Sequence, residues 1–447
     1  MAHILMAAMA TPGHVYPLLT IARYLVEQGN DVTLFSGALF REQAEAAGVG
    51  FIPFSDDIDF DYRHLEQHFP QRAMLPPGNA QMALALKDFF AAPIPLLLDR
   101  QLRDALAKTD ADLLMVENCF YGVLPLLLSG QRPPVIVIGV TPLSYSTRDS
   151  VFYGPRIPPK LLPPDLSHEQ LVDEETRALM SEVQRAFDHA MMQSGGKPLE
   201  QPFMDALIGR CDRFLQLSTT ELEYQRDDLP QSVRFIGPLS HHVAAACAPQ
   251  WWASDDSRPL IIVSQGTLAN VELQQLIGPT LRALADLPVR VLATTGGRSV
   301  ESLQASLPEN ARVVSFLAYD DWLPEASILI TNGGYGSINA ALKDGVPLIV
   351  AGVGEDKQEG AARVVFAKCG INLQTSTPSE QQIKQSVIEI LEDPGYLQRA
   401  RWIKADYARH DALALIQAEV HALSFSKECL SKEDGIASAR DASLLRV

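Results

Sequence analysis

Two short stretches carry side chains whose types and spacing could do chemistry. The first is TPGHVYPL, residues 11–18, where His14 follows an apolar run and opens a helical pattern. Gly13 gives the turn freedom, and an imidazole with an ordinary pKa of about 6.5 can take a proton from a hydroxyl near neutrality. A histidine that merely begins a helix would be spelled the same way. The second stretch is TNGGYGS, residues 331–337. Gly333, Gly334 and Gly336 let backbone N–H groups converge ahead of a helix, and Ser337 adds a hydroxyl in its first turn. With the helix dipole, such a turn can cradle a diphosphate. Asn332, its first polar side chain, can donate hydrogen bonds but no charge. A glycine turn that only caps a helix is the competing reading.

A histidine acting as base needs its other nitrogen oriented, usually by a carboxylate. Glu117 ends the apolar run LLMVE and is the candidate; Asp112, just before that run, is the fallback, and a Glu117 facing solvent is the alternative. The alternating carboxylates of DIDFD, residues 57–61, do not make a calcium loop, because glycine is missing at the sixth position and His68 holds the twelfth. They read as a solvated loop, and no metal site is expected. Five cysteines (Cys119, Cys211, Cys247, Cys369, Cys429) are scattered, odd in number and without CxxC spacing. That argues against a disulfide framework or structural zinc and suits a reducing cytoplasm.

These residues need a scaffold that brings strand ends together. HILMAAM, DVTLFS, ADLLMVEN and PPVIVIGVT read as buried strands separated by helical patterns, the first helix running from Val15 to about Gln28. Apolar strands alternating with helices imply a parallel sheet covered on both faces. Periodicity lapses over residues 240–258, which read as a linker containing His241, His242, Trp251 and Trp252. Alternation then resumes through PLIIVSQGT, a helix from about Val271 to Ala285, VRVLATTGG, RVVSFLA, SILITNGG and PLIVAGVG. The fold class expected is α/β, with two doubly wound Rossmann-like domains, 1–239 and 259–395, facing across a cleft. Residues 396–424 read as helices returning to the first domain and 425–447 as a loose tail. Ligands of such sheets bind at the carboxyl ends of the strands, so the cleft is the expected site.

The chain has 447 residues, of which 47% are hydrophobic and 20% charged, with a formal net charge of −17. That charge disfavours nucleic acid or an anionic membrane surface as the main partner. The N-terminus lacks a basic segment and reads as a buried strand, not a signal peptide. The most apolar run, YGVLPLLLSGQRPPVIVIGV, is interrupted by SGQR and two prolines, so no stable membrane insertion is expected.

Phe316, opening FLAYDDWLPEAS, then TNGGYGS, GVP and GEDKQ follow one another with a recognisable spacing. Together with ATPGHVYPLL, FIGPL and SQGT, the chain resembles the inverting, nucleotide-sugar-dependent glycosyltransferases of the GT-B fold, of the macrolide and UDP-glycosyltransferase type. The resemblance covers the chain up to its tail. It implies that His14 is the base for the acceptor hydroxyl, with Glu117 where relatives usually carry Asp. It implies that Phe316 flanks the base of the nucleotide and that the Leu317 backbone pairs with it. Asn332, Gly333, Gly334, Gly336 and Ser337 would hold the diphosphate with Ser264, Gly266 and Thr267 of SQGT, and Asp356 and Lys357 would meet the sugar.

Four positions depart from the family pattern. Asn332 replaces a histidine, Ala318–Tyr319 replace Pro-Gln, Ala340 stands for a ribose-binding Glu, and Lys357 stands for Gln. UDP against dTDP and the donor sugar therefore stay open. The implied co-substrate is a nucleoside-diphosphate sugar, with no cofactor. The apolar, aromatic segments AMLPPG, DFFAAPIPLLL and TPLSYSTRDSVFYGPRIPP imply a small lipophilic acceptor, and the protein would act as a monomer or homodimer. Two other readings stand beside this one. A catalytically silent relative would serve as a binding protein. A dinucleotide-dependent oxidoreductase fits less well, since neither first βα turn spells GxGxxG.

Overall fold

Strands that are apolar on both faces can be satisfied only between two layers of helix, and this chain builds two such sandwiches. The computed structural model describes residues 1–424 other than 60, 62–64, 76–78, 92–93, 131, 147–166, 168, 240–255, 268–269, 271, 305–306 and 355. Strands β1 (His3–Ala7), β2 (Asp31–Ser36), β3 (Gly50–Pro53), β4 (Leu113–Glu117), β5 (Val135–Gly139), β6 (Arg213–Gln216) and β7 (Val233–Phe235) form one parallel sheet. Its order is β3-β2-β1-β4-β5-β6-β7. Strands β8 (Leu260–Ser264), β9 (Arg290–Thr294), β10 (Ala311–Val314), β11 (Ala326–Thr331), β12 (Leu348–Val350) and β13 (Gly370–Asn372) form the other, in the order β10-β9-β8-β11-β12-β13. Every residue of β4, β5 and β8 is buried.

Both orders reverse direction once, at β1/β4 in the first sheet and at β8/β11 in the second. Chain connections diverge at such a point and leave a crevice beyond the carboxyl ends of the two strands. The register brings those ends level: Ala7 pairs with Val116, and Thr331 with Ser264. His14 and Glu117 therefore belong to one crevice, and the SQGT and TNGGYGS turns to the other.

The first helix, Pro12–Glu27, starts three residues before the expected Val15, because Pro12 is accommodated in a first helical turn. The helix expected over 271–285 is regular only across Ile277–Ala283. β3, β6, β7 and β13 escape a periodicity reading because each has only three or four residues.

The helical stretch read across 396–424 is two helices. Pro394–Tyr407 packs Ala400, Ile403 and Tyr407 into the second core, and Ala412–Ser424 alone returns, placing Ala412, Ile416 and Val420 in the first. Taken together, residues 79–109 are long and apolar enough to cross a bilayer. Their side chains Phe89, Ile94, Leu98, Leu102 and Ala105 are instead buried in the first core. The expected linker from 240 to 255, with His241, His242, Trp251 and Trp252, and the tail from 425 lie outside the described residues.

Candidate functional site

His14 sits in the first turn of its helix, tied by its backbone N–H to the Thr11 carbonyl at 3.0 Å. Its Nδ1 lies 2.8 Å from Glu117 Oε2. Glu117 is completely buried, and its carboxylate also accepts from the Met9 N–H at 3.1 Å and the Cys119 N–H at 2.6 Å. Two backbone donors thus fix the carboxylate, and the carboxylate fixes the ring, so the extra methylene of a glutamate still reaches. Asp112 instead accepts from the His3 N–H at 2.9 Å, at the opposite end of the sheet. Of the DIDFD carboxylates, Asp59 accepts from the Ala38 N–H at 2.9 Å and serves a neighbouring short helix.

His14, Glu117 and Cys119 form the one cluster of metal-ligand side chains among the described residues, their ligand atoms within 4.8 Å of one another. Burial, then the neighbouring Glu117 charge, pushes the Cys119 thiol pKa well up. That opposes the thiolate a metal would take, and the Glu117 oxygens already serve three partners.

Beside His14 lies a cavity of about 210 Å³. Its wall is apolar and aromatic, including Phe69, Met82, Phe89, Phe90, Tyr121 and Leu207. Rings meet edge to face along it, Phe69 to Phe89 at 5.6 Å, Phe89 to Phe90 at 4.6 Å and Phe90 to Tyr121 at 6.0 Å between centroids. Within DFFAAPIPLLL, Asp88, Phe89 and Phe90 line it from a π-helical turn, Leu86–Ala91, rather than from a loop, while Ile94 and Leu98 of the helix Ile94–Thr109 are buried in the core. Polar points are few. Asn118 bridges the strand ends, donating to Thr141 Oγ1 at 2.7 Å and accepting from the Val140 N–H at 2.9 Å. The Thr11 hydroxyl, buried on this wall, has no hydrogen-bond partner among the described residues. Asp356, from the second half, lines the same cavity. The two halves thus share one space.

In the second crevice Gly266 and Gly333 take positive φ of 74° and 92°, which side chains with a Cβ rarely adopt. The helix Tyr335–Asp344 starts from Gly334, with Gly336 and Ser337 in its first turn. Asn332 is buried. Its side-chain N–H donates to the Gln265 carbonyl, and its backbone N–H to the Ser264 carbonyl at 3.3 Å, so it clamps the two turns together. Gly352 closes in from the other side: a Cβ there would stand 2.1 Å from the Asn332 carbonyl oxygen.

Ser264 Oγ accepts from the Gly266 N–H at 3.2 Å, and Thr267 is exposed beside it. Lys357 is buried, its stem beside Gly333 and Gly352. Phe316 is 70% exposed, against Gly297, and Leu317 is half-buried on the second core. Ala340 is buried.

The sequence reading missed Tyr319, whose hydroxyl lies near the Ser264 and Ser337 side chains and whose ring packs on the second core. It also missed Tyr335, whose OH donates to Glu223 at 2.6 Å. The only sequence signal for Tyr319 was its departure from the family pattern.

Residues 279–422 match the family described as "Erythromycin biosynthesis protein CIII-like, C-terminal domain". UDP-glycosyltransferase 2 of Phaeomoniella chlamydospora is 32% identical over 94% of this chain and 96% of its own length. 4'-Demethylrebeccamycin synthase of Lentzea aerocolonigenes is 32% identical over 92% and 97%. Among solved structures, the glycotransferase of kitacinnamycin superposes with a TM-score of 0.70 at 21% identity, covering 94% of this chain and 98% of that one. A spinosyn rhamnosyltransferase complexed with thymidine diphosphate gives 0.65 at 18%, covering 93% and 99%. At those identities the structural likenesses speak to the fold.

Proposed function

We propose, from the premise that this chain belongs to the GT-B-fold inverting glycosyltransferases of the UDP-glycosyltransferase and macrolide type, that it moves a sugar from a nucleoside diphosphate to a hydroxyl of a small lipophilic natural product. The observation that carries this reading is the Glu117-held His14 on the wall of an apolar cavity that also receives Asp356 from the other half.

With Nδ1 engaged by Glu117, Nε2 is the nitrogen that takes the acceptor proton as the acceptor oxygen bonds to the anomeric carbon. The bond from that carbon to the diphosphate oxygen breaks on the opposite face, so configuration inverts. Both electrons of the broken bond leave with the diphosphate. The 331–337 turn and SQGT stabilise it through N–H groups, hydroxyls and the helix dipole. Phe316 and the Leu317 backbone take the nucleotide base, and Asp356 and Lys357 meet the sugar. The aromatic lining favours a lipophilic or aromatic alcohol over a free sugar as acceptor.

What supports a nucleoside-diphosphate donor and a lipophilic acceptor is that the spinosyn rhamnosyltransferase of the same fold is found complexed with thymidine diphosphate and with spinosyn aglycone. Both features that a silent relative tends to lose, His14 and the glycine turn, are in place. The test is a thermal-shift or calorimetric screen with UDP, dTDP and GDP, followed by incubation of the matching nucleotide sugars with a panel of aromatic and polyketide alcohols. Binding of one nucleoside diphosphate and transfer to a lipophilic alcohol are expected. No binding of any of the three would overturn the reading.

A further inference from the structure

A diphosphate brings negative charge to a chain whose own net charge is −17, and the turn that faces it offers only an amide at residue 332. A cation stands one strand away. Arg298 follows β9 in the turn TTGGRS, and β9 lies beside β8 in the sheet, so this turn opens at the same carboxyl edge as SQGT. Gly296 and Gly297 take positive φ of 63° and 95°. A Cβ on Gly296 would stand 2.2 Å from the Gly266 carbonyl oxygen, and one on Gly297 2.8 Å from the Phe316 ring. Arg298 therefore emerges between the residue assigned to the nucleotide base and a turn assigned to the diphosphate.

Its guanidinium is held in place. Asn270 is completely buried, and its side-chain amide donates to the Gly266 carbonyl at 2.9 Å and the Thr295 carbonyl at 2.8 Å. Those partners turn Asn270 Oδ1 towards Arg298, whose Nε donates to it at 3.0 Å. The Thr295 hydroxyl closes the turn on the Arg298 carbonyl at 2.5 Å. Other half-buried arginines are answered by carboxylates: Arg213 by Glu419, Arg226 by Asp228 and Arg399 by Glu221. Arg298, also half-buried, has no ion pair among the described residues, and its two terminal amino groups have no hydrogen-bond partner there.

We propose that Arg298 is a cationic ligand of the donor's diphosphate, supplying from β9 the charge that Asn332 lacks. The proposal rests on the nucleotide-sugar reading above and adds to it a residue and the source of the charge. The terminal amino groups of a guanidinium match the spacing of phosphate oxygens and can donate to two of them at once. With Nε already fixed by Asn270, little freedom of the side chain is lost on binding.

The experiment is calorimetric titration of the full chain and of Arg298→Gln with UDP, dTDP, inorganic pyrophosphate, uridine and thymidine, each at low and high salt. Loss of a charged ligand predicts that nucleoside diphosphate and pyrophosphate bind roughly tenfold more weakly, or worse, at low salt. Their affinity should also fall less steeply with salt than in the parent, while nucleoside binding is unchanged. Arg298→Lys, which keeps the charge without the fork, should regain part of the affinity and the parent's salt dependence. Parent-like affinity and salt dependence in Arg298→Gln would overturn the proposal and leave the glycosyltransferase reading standing. So would an equal loss for nucleosides and nucleoside diphosphates, which would make Arg298 a brace for the turn. A parent protein that binds no nucleoside diphosphate would overturn both. Circular dichroism checks that the variant is folded; if it is not, Arg298→Met, which keeps the stem, carries the same comparison.

Discussion

The His14–Glu117 pair divides its work so that each half can be removed separately. His14→Ala takes away the proton acceptor and should lower kcat by roughly 10²- to 10⁴-fold while nucleoside diphosphate affinity holds. Glu117→Gln keeps the shape but removes the charge that favours a protonated ring, and should cost kcat roughly tenfold or more with little change in the acceptor KM. Unchanged turnover in His14→Ala would end the base assignment. Both residues were legible in the sequence because Glu117 ends an apolar strand and His14 opens the helix that follows one, where a parallel sheet presents its ligands. Tyr319 was not: its neighbours Ser264 and Ser337 lie in other segments, and only folding brings them close. Asn332 was legible as a donor, but its use of one N–H to clamp Gln265 was not.

At the scale of elements, the helix Phe203–Arg210 sets Met204, Leu207 and Ile208 on the cavity wall and anchors itself through Asp205. That carboxylate is buried and accepts from the Ser146 N–H at 2.9 Å. Desolvation raises its pKa from 3.8 to about 6 against the hydrogen bonds from Ser146 and the pull of Arg226. A raised folded-state pKa means that the folded chain binds the proton more tightly than the unfolded one. The group's stabilising contribution is therefore full below about 3.8 and is lost as pH rises through about 6. Asp205→Asn should be more stable than the parent at pH 7 by about 1–3 kcal/mol, with the gap closing towards pH 4. Urea unfolding at several pH values measures it, and a gap that does not shrink on acidification would refute the assignment. The helix Phe203–Arg210 was not part of the sequence reading, which followed the apolar strands and the helices between them. The aromatic turn around 86–91 was readable only as an apolar segment, whereas the helix Ile94–Thr109, with one buried stripe and a charged face, carried a helical pattern that the sequence reading passed over.

At the scale of the whole molecule, a buried polar knot joins the two halves close to the cleft. Glu223, on the first-sheet side, accepts from Arg363, from Tyr335 OH at 2.6 Å and from the Leu143 N–H at 3.1 Å. Arg363 also donates to the Leu143 carbonyl at 2.9 Å and to Glu359 at 3.1 Å. Burial works against the Arg363 charge, but Glu223, Tyr224 and Glu359 outweigh it and raise its pKa overall. Arg363 belongs to the helix Lys357–Phe366, which Asp356 precedes, and Tyr335 to the helix of the glycine turn, so the knot sets the donor side against the acceptor side. Arg363→Met alone strands a buried carboxylate and should cost about 3–5 kcal/mol, whereas Glu223→Leu with Arg363→Met should recover most of that. A double variant as unstable as the single one would show that the charges are not coupled. The two-domain plan was legible from the restart of alternation after the linker. The knot was not, since Glu223 and Arg363 sit on opposite sides of the linker.

The last described helix, Ala412–Ser424, belongs by position to one half and by packing to the other. Its Gln417 accepts from Asn30 at 3.1 Å and its Glu419 pairs with Arg213 at 2.6 Å. The polypeptide thus crosses between its lobes twice, like a strap threaded back through a buckle. Anyone grafting the acceptor lobe of this protein onto the donor lobe of a relative needs two seams, one in the connector and one near residue 411. A hybrid cut only at the connector would wear a foreign strap over Ile416's seat, and should melt at a lower temperature than one carrying its own.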